Sequence, residues 1–406
     1  MITLSHPTDV IVIGGGAAGM IAAVTASEQG KSVLLLEKSD RPGRKILASG
    51  NGRCNLMNSG KLKYYGDSEF ANCVLHQCPR QDIESFFFRY GLILREEEEN
   101  RLYPATGQSV SVVSALKNAM NLRHVQMIMN CRVLSVDYHN HCFSVKTGMN
   151  NAYESDRLII ACGGAVQPKL GGTTDGYALL EKLGHKIIDP VPALVPFNTD
   201  HKSISGLSGL RIRCSVRLMK DQHMIHAENG EVLFTDYGVS GICIMQCARF
   251  AAQPGMYLEL DFLANTFPDR PKLRDEINRR KQFFSDCSPL WLMNGILPEK
   301  LAYAVLKQAG LPLRGETAGD TEEGLLDHII ETASHYRINI ISNRGFDYAQ
   351  VTAGGADCGQ FDPSSMRSLI IPDMYAAGEV LNVDGDCGGF NLMFAFASGI
   401  IAGRNV

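Results

Sequence analysis

Four consecutive apolar residues, Val10, Ile11, Val12 and Ile13, open the patterned part of the chain, and their β-branching reads as a buried strand rather than a helix. Gly14, Gly16 and Gly19 follow at once. An Ala-rich stretch over 22–26 then reads as a helix stopped by Gly30, and the apolar run at 33–36 predicts a second strand. Helical period recurs at 81–90 and 109–120. One or two alternating strands are predicted over 125–136, and 158–161 is another buried strand, ending at Gly163-Gly164. Residues 175–183 read as a helix with Gly184 just past its end. After Pro190, Pro192 and Pro196 the period changes. Short alternating runs at 212–219, 231–235 and 256–261, with Asn229-Gly230 read as a turn between them, predict an antiparallel sheet or small barrel. Helical patterns fill 271–284, 299–308 and 322–333. The chain ends with an apolar strand that delivers Gly378-Glu379, and then a small-residue helix over 394–403.

The first of these segments carries chemistry. G-x-G-x-x-G between a strand and a helix is a dinucleotide fingerprint: one glycine makes the turn, one lets backbone approach the pyrophosphate, and one lets helix pack on strand. Ala17 and Ala18 lie within that spacing and are counted with the glycines as cofactor-binding, and the free N–H groups and positive dipole of the helix N-terminus favour phosphate. Glu37, beside Lys38, ends the second strand eighteen residues after Gly19, where an acid can bind ribose hydroxyls. Ala161 and Gly163 close a strand at the carboxyl edge of a parallel sheet, so they too are expected beside the cofactor. The polar, glycine-rich stretch 41–55 reads as a loop lying against a charged, planar or phosphate-bearing ligand.

Composition narrows the alternatives. At 406 residues two or three domains are expected. The formal charge of −4, with no stretch interleaving aromatic and basic residues, argues against nucleic acid or anionic membrane as a partner. No apolar run reaches the roughly 18 residues of a membrane span and no leader pattern precedes Asp9, so a soluble cytoplasmic protein is expected. The twelve cysteines are scattered without C-x-x-C and read as reduced thiols. Cys73 and Cys78 stand at C-x₄-C, but no glycine flanks them, and the reading is a structural rather than a redox pair. Four adjacent carboxylates, Glu96 to Glu99, do not converge on one point and are expected in a solvated turn or helix end, so no metal is expected. The mixed-sign stretch 269–281 reads as a solvated helix face. His185 is expected to be a packing histidine.

The segment from Lys45 to Asn55 resembles the signature of the BaiN/RdsA-type flavoproteins, also described as aminoacetone-oxidase-like FAD-binding proteins. That family usually has Gly at Asn51 and Thr at Met57. Further stretches match it: Gly172 to Tyr177, Phe234 to Gly241 with Asp236-Tyr237 in place of Thr-His, Val351 to Ala356 with Ala356 for Val, and Asp384 to Met393. In the last region Asn382, Cys387 and Met393 stand for the usual Asp, Thr and Gln. The resemblance spans essentially the whole chain and implies FAD, since a returning C-terminal segment of this kind has no use with NAD as sole cofactor. It places Arg44, Lys45, Ser49, Gly50, Gly52, Arg53, Cys54 and Asn55 along the FAD, with Val133 in backbone contact near the adenine. Gly378, Glu379, Asn391, Leu392 and Met393 would meet its ribityl, pyrophosphate and ring portions.

The fold so implied is α/β: a discontinuous Rossmann-like FAD-binding domain (1–194 and 345–406) with a barrel-like antiparallel β insert (195–270) and a helical insert (271–344). The implied activity is an FAD-dependent oxidoreductase acting on CH-CH or CH-NH groups. The leading expectation is reduction of an activated C=C in a small apolar or steroid-like substrate of the 3-oxo bile acid type, with NADH or NADPH as transient electron donor. No second G-x-G-x-x-G marks a nicotinamide domain. An O₂-using amine oxidase of the aminoacetone type is the enzyme alternative; a non-catalytic flavin-binding sensor or interaction protein is the other. Arg53, Asn391 and Tyr237 are the candidate catalytic residues, the last as proton donor.

Overall fold

The computed structural model describes residues 8–148, 151–251, 254–311 and 315–406. They fall into two compact units, Met1–Pro192 with Ala349–Val406, and Ala193–Tyr348.

In the first unit the strand Thr8–Ile13 lies between Val33–Leu36 and Ala152–Ile160, parallel to both, and Val10, Ile11 and Val12 have no exposed surface. Burial on both faces is what a continuous apolar run allows and an alternating one does not. Gln126–Ile128 extends the sheet beyond Val33–Leu36. On the other side Ala152–Ile160 is shared: its first half pairs antiparallel with Cys142–Thr147, which pairs with Val133–His139, and its second half pairs parallel with Met374–Ala376. A strand from the end of the chain thus completes the sheet begun at its start.

The two termini are also joined through helices. The final helix, Phe390–Asn405, packs on the first, Ala17–Glu28, and both are buried nearly all round. Their backbones approach so closely that a Cβ at Gly399 would lie 2.5 Å from the Ala18 carbonyl oxygen, and one at Gly403 2.5 Å from that of Ala22. This helix begins at Phe390, ahead of the expected 394, because Gly389 turns the chain at φ 103°. Asn391, Leu392 and Met393 therefore sit in its first turn.

Two expectations for this unit change. The stretch 41–55 is not all loop: it contains a short helix, Arg44–Ala48, and a 3-10 turn, Ser49–Gly52, where Gly50 and Asn51 are left-handed. Asparagine tolerates that conformation better than most side chains, which accounts for Asn51 at the family's glycine position. Glu96 and Glu97 lie not in a turn but in the strand Leu94–Glu97, and the carboxylates are divided among cations: Glu96 faces Arg80, Glu97 takes Arg53 and Arg95, and Glu99 pairs with Arg101. Cys73 is exposed on the helix Ser68–Gln77 and Cys78 is buried; both are free thiols.

His185 is 2 % exposed, stacked on Phe361, with Nε2 2.8 Å from Ser368 Oγ. Burial pushes its pKa below the ordinary imidazole value. The native state therefore binds fewer protons than the unfolded chain once pH drops below about 6.5, and stability present above that pH is lost as pH falls towards the folded pKa. Thermal melts from neutral to mildly acidic pH should show this decline, and His185→Gln should flatten it. A variant declining as steeply as the parent would remove His185 as the cause.

The second unit is a closed six-stranded barrel in the order Phe197–Thr199, Gly238–Ser240, His223–Phe234, Arg211–Lys220, Tyr257–Asp261, Tyr336–Asn343. The last strand follows the helices Arg270–Phe283, Glu299–Gln308 and Glu323–Ser334, so barrel and helices belong to one unit. The buried rings of Phe234, Phe262 and Tyr336 meet in tilted pairs. Asn229-Gly230 is not the hairpin turn. Both residues lie inside His223–Phe234, paired with Ser215 and Cys214, while the chain reverses at Asp221 and Gln222, each with positive φ. Gly230 is there for space: a Cβ would meet Cys243 at 3.1 Å, on the helix packed across that strand.

Candidate cofactor site

The turn after the first strand behaves as its spacing predicts. A Cβ at Gly14 would lie 2.4 Å from the Ala161 carbonyl oxygen, and one at Gly19 1.9 Å from that of Gly14, so strand, turn and helix close only with glycine at both. At Gly16 a Cβ would meet nothing within 4 Å, and no side chain caps the helix that starts at Ala17. Open space in front of uncapped N–H groups, Ala17 and Ala18 included, is what a pyrophosphate requires.

Glu37 stands beside this turn. One of its oxygens accepts the Gly15 N–H at 2.6 Å and the other the Ser39 N–H at 2.7 Å, and each keeps a lone pair for a ribose hydroxyl. Its backbone also anchors the strand that follows Gln126–Ile128: Glu37 N–H donates to the Ile128 carbonyl and the Glu37 carbonyl accepts from Cys131 N–H. That brings Val133, buried at the start of its own strand, within two residues of the ribose acid's partner. Lys38 is half-buried next to it.

From the other end of the chain, Gly378 follows Met374–Ala376 so tightly that a Cβ there would lie 2.8 Å from Ala18 Cβ. Glu379 then meets Lys45: Nζ to Oε2 is 2.7 Å, while Oε1 accepts the Thr352 N–H at 2.9 Å. The expectation gave both residues to the cofactor and did not pair them. Arg44 reaches the Lys169 carbonyl, and Ser49 Oγ donates to the Ile46 carbonyl. Gly50 and Gly52 are exposed on the 3-10 turn. Cys54 has no exposed surface, and burial pushes its thiol up to about 12, so it is held protonated and inert.

Two polar groups frame the start of the final helix. Asn55 Oδ1 is buried without a hydrogen-bond donor among the described residues, 2.8 Å from where a Gly389 Cβ would stand. Asn391, named as a candidate catalytic and cofactor-binding residue, has its amide engaged by main chain. Its Oδ1 accepts the Gly385 N–H at 2.8 Å and its Nδ2 donates to the Gly385 carbonyl at 2.9 Å, so the amide ties down the turn that leads into the helix. Leu392 is half-buried beside it and Met393 is buried. Arg53 is clamped between Glu97 Oε1 at 2.6 Å and the face of Tyr103, 4.3 Å from the ring centroid, and the carboxylate raises its pKa further. Sequence reasoning missed the roles of Glu97, Tyr103 and Thr352; Glu97 lies in the acidic run 96–99 and Thr352 in the matched stretch 351–356, while Tyr103 carries no signal of its own.

These residues fit FAD: an unobstructed amide cradle, a ribose acid with spare lone pairs, and the orphaned Asn55 acceptor, suited to a flavin N–H. Tyr237 belongs to the second unit, where the Arg344 guanidinium stacks on its ring at 3.8 Å. Among the described residues no group of three His, Cys, Asp or Glu is placed to hold a metal, and no helix is long and apolar enough to cross a membrane.

The profile of the HI0933-like protein Rossmann domain matches residues 8–405. The chain is 32% identical over 404 residues, 97% of each protein, to a 3-dehydro-bile acid delta(4,6)-reductase of Clostridium scindens. It is 28% identical over the same share to a ribosomal RNA dihydrouridine synthase of Haemophilus influenzae. Among solved structures, the 3-ketosteroid-delta4-(5alpha)-dehydrogenase of Rhodococcus jostii RHA1 aligns over 99% of this chain and 97% of its own, with a TM-score of 0.50 at 14% identity, a likeness of fold. The chain belongs to the HI0933-like Rossmann family of FAD-dependent oxidoreductases.

Proposed function

We propose that this protein is a reductase that saturates a carbon–carbon double bond conjugated to a carbonyl in a small apolar substrate of the 3-oxo steroid type, using NADH or NADPH. The observation that carries the reading is the full-length match to a reductase acting on such a molecule, which includes both ends of the chain that build the cofactor cradle. In the overall reaction the nicotinamide is oxidised while the double bond takes up a hydride and a proton. FAD, when bound, supplies that two-electron chemistry.

The chain's own residues supply the rest. The amides from Gly16 to Gly19 and Glu37 grip the dinucleotide, and the Lys45–Glu379 pair ties the N-terminal and C-terminal walls of the cradle together. The first turn of Phe390–Asn405, held by Asn391, would direct its positive dipole at a flavin bound in front of it. Arg53, restrained by Glu97 and Tyr103, is the group we assign to the substrate carbonyl, whose oxygen gains negative charge as the double bond is attacked. Residues 1–194 and 345–406 form the FAD-binding domain of this reading; the β insert expected over 195–270 is completed by Tyr336–Asn343 from the segment 271–344, which otherwise supplies the helices.

Saturation of a uracil ring in RNA is the same redox step, and the Haemophilus influenzae match over an equal share of the chain favours it as a second reading. Net charge does not oppose it, because a negative total leaves room for a local basic surface.

Anaerobic mixing tests the first reading. NADH or NADPH should bleach the flavin absorbance, and an unsaturated 3-oxo steroid should restore it with loss of its double bond. Bleaching by aminoacetone with no response to either nicotinamide would replace the reductase with an amine oxidase.

A further inference from the structure

The outer wall of the barrel and two of the helices packed on it frame a cavity of about 470 Å³, lined entirely by residues of the second unit. Alternation along the strand Arg211–Lys220 turns Cys214, Val216 and Leu218 into the barrel and leaves Arg217 on its outside, beside Asp261 of the paired strand. The helix Arg270–Phe283 brings Arg270 and Arg274 to the cavity. Glu323–Ser334, which packs on that helix, brings Asp327, Glu331 and Ser334, all on one of its faces.

Most of the charge in this wall is matched within it. Both Asp261 oxygens accept from Arg270, at 2.7 and 2.8 Å, and Asp327 takes Arg274 at 2.5 and 3.2 Å. Arg217 donates to the Ser334 carbonyl at 3.2 Å and lies 2.9 Å from Glu259, which His335 also approaches at 3.1 Å. Three groups remain without a partner. Arg217 Nε and Ser334 Oγ are buried with no hydrogen bond among the described residues, and Ser334 is only 7 % exposed. Glu331 is exposed and has no ion pair among the described residues.

A buried guanidinium N–H and a buried hydroxyl are rarely left unpaired, because each has lost its water and gained nothing. These two stand together, since the same guanidinium already meets the Ser334 carbonyl. Their complement is an acceptor oxygen, best an anionic one. A plain anion is opposed by the wall, however: its three arginines already have carboxylate partners, and Glu331 adds a further negative charge. A cation on the same ligand, set against Glu331, removes that conflict. Pro271 and Ile330 offer apolar surface from the two helices.

We propose that this cavity binds a small zwitterion, an α-amino acid with an apolar side chain, with its carboxylate at Arg217 and Ser334 and its ammonium at Glu331. The site uses none of the residues assigned to the cofactor or the ketone, so it stands apart from the redox reading.

The test is anaerobic isothermal titration of the FAD-loaded protein with L-phenylalanine, for which saturable binding to one site is expected. 3-Phenylpropionate lacks the ammonium and 2-phenylethylamine lacks the carboxylate, and each should bind about tenfold or more weakly, the loss of one charge-assisted contact. Glu331→Gln should weaken phenylalanine about tenfold and leave phenylpropionate unchanged. Ser334→Ala should weaken phenylalanine and phenylpropionate alike and leave phenylethylamine unchanged. Neither side chain has a protein partner to lose, so both variants should keep the parent's melting temperature and FAD content. Absence of phenylalanine binding, phenylpropionate binding as tightly as phenylalanine, or full affinity in either variant would overturn the proposal. So would inorganic phosphate binding more tightly than phenylalanine, since the cavity would then be a site for oxyanions alone.

Discussion

Gly19→Ala should yield a protein that is nearly colourless and melts about 5–10 °C lower than the parent, because the new methyl group would lie 1.9 Å from the Gly14 carbonyl oxygen. Backbone cannot yield there without pulling the first helix off the sheet it covers. The loss should be at least about 3 kcal/mol, the upper end for overpacking, since the atom struck is main chain and not a flexible side chain. Gly16→Ala is the companion measurement. Its methyl meets no protein atom within 4 Å, so the cofactor-free protein should melt as the parent does. FAD affinity should nonetheless fall roughly 10- to 100-fold, as expected if one or two amide–phosphate hydrogen bonds are lost. The ratio of flavin to protein absorbance after dilution, with melts of both forms, separates the two effects. If the Gly16→Ala variant kept its flavin as tightly as the parent, the pyrophosphate would lie elsewhere and the cradle would be misassigned.

Glu379→Ala should cost about 2–4 kcal/mol in urea unfolding of the holoprotein and should release FAD as well. The carboxylate serves two partners brought from distant parts of the chain, the Lys45 ammonium and the Thr352 N–H. Its removal leaves a partly buried cation and an amide without an acceptor. With Lys45 29 % and Glu379 19 % exposed, solvent recovers part of the loss, which keeps the figure below that of a fully buried pair. Glu379→Gln retains an acceptor for Thr352 and should lose about half as much. Combining it with Lys45→Met should cost less than the two changes added, with a coupling of about 1 kcal/mol. Strict additivity would mean that the pair does not hold the two walls together.

How much of this was legible beforehand follows the range of the interactions. The strand, glycine turn and helix from Thr8 to Glu28 declare themselves through their spacing, and the contact that requires Gly19, with the Gly14 carbonyl, lies within the fingerprint itself; the one that requires Gly14 comes from Ala161, on a strand far along the chain. The barrel strands were visible as alternation, yet their hairpin was placed at Asn229-Gly230 because glycine is a turn former in isolation. What seats that glycine in a strand is Cys243, on a helix that comes later in the chain. The acidic run 96–99 was unreadable for a similar reason. Its meaning depends on Arg53 and Arg80, which only folding brings alongside.

By itself, then, the order of residues determined the strand, glycine turn and helix of the first unit and the return of the chain's far end to it. Periodicity and glycine spacing are short-range, so the chain states them locally. Only the tertiary structure decided that Lys45 answers Glu379, that Glu97 and Tyr103 restrain Arg53, that Asn391 holds a turn, and that Tyr336–Asn343 closes the barrel. Lys45 and Glu379 stand 334 residues apart and Arg53 and Glu97 44, so their meeting is settled by packing of the whole core and not by the preference of any one segment; the Asn391 amide closes a turn only 6 residues away, in a geometry set by the helix start at Gly389.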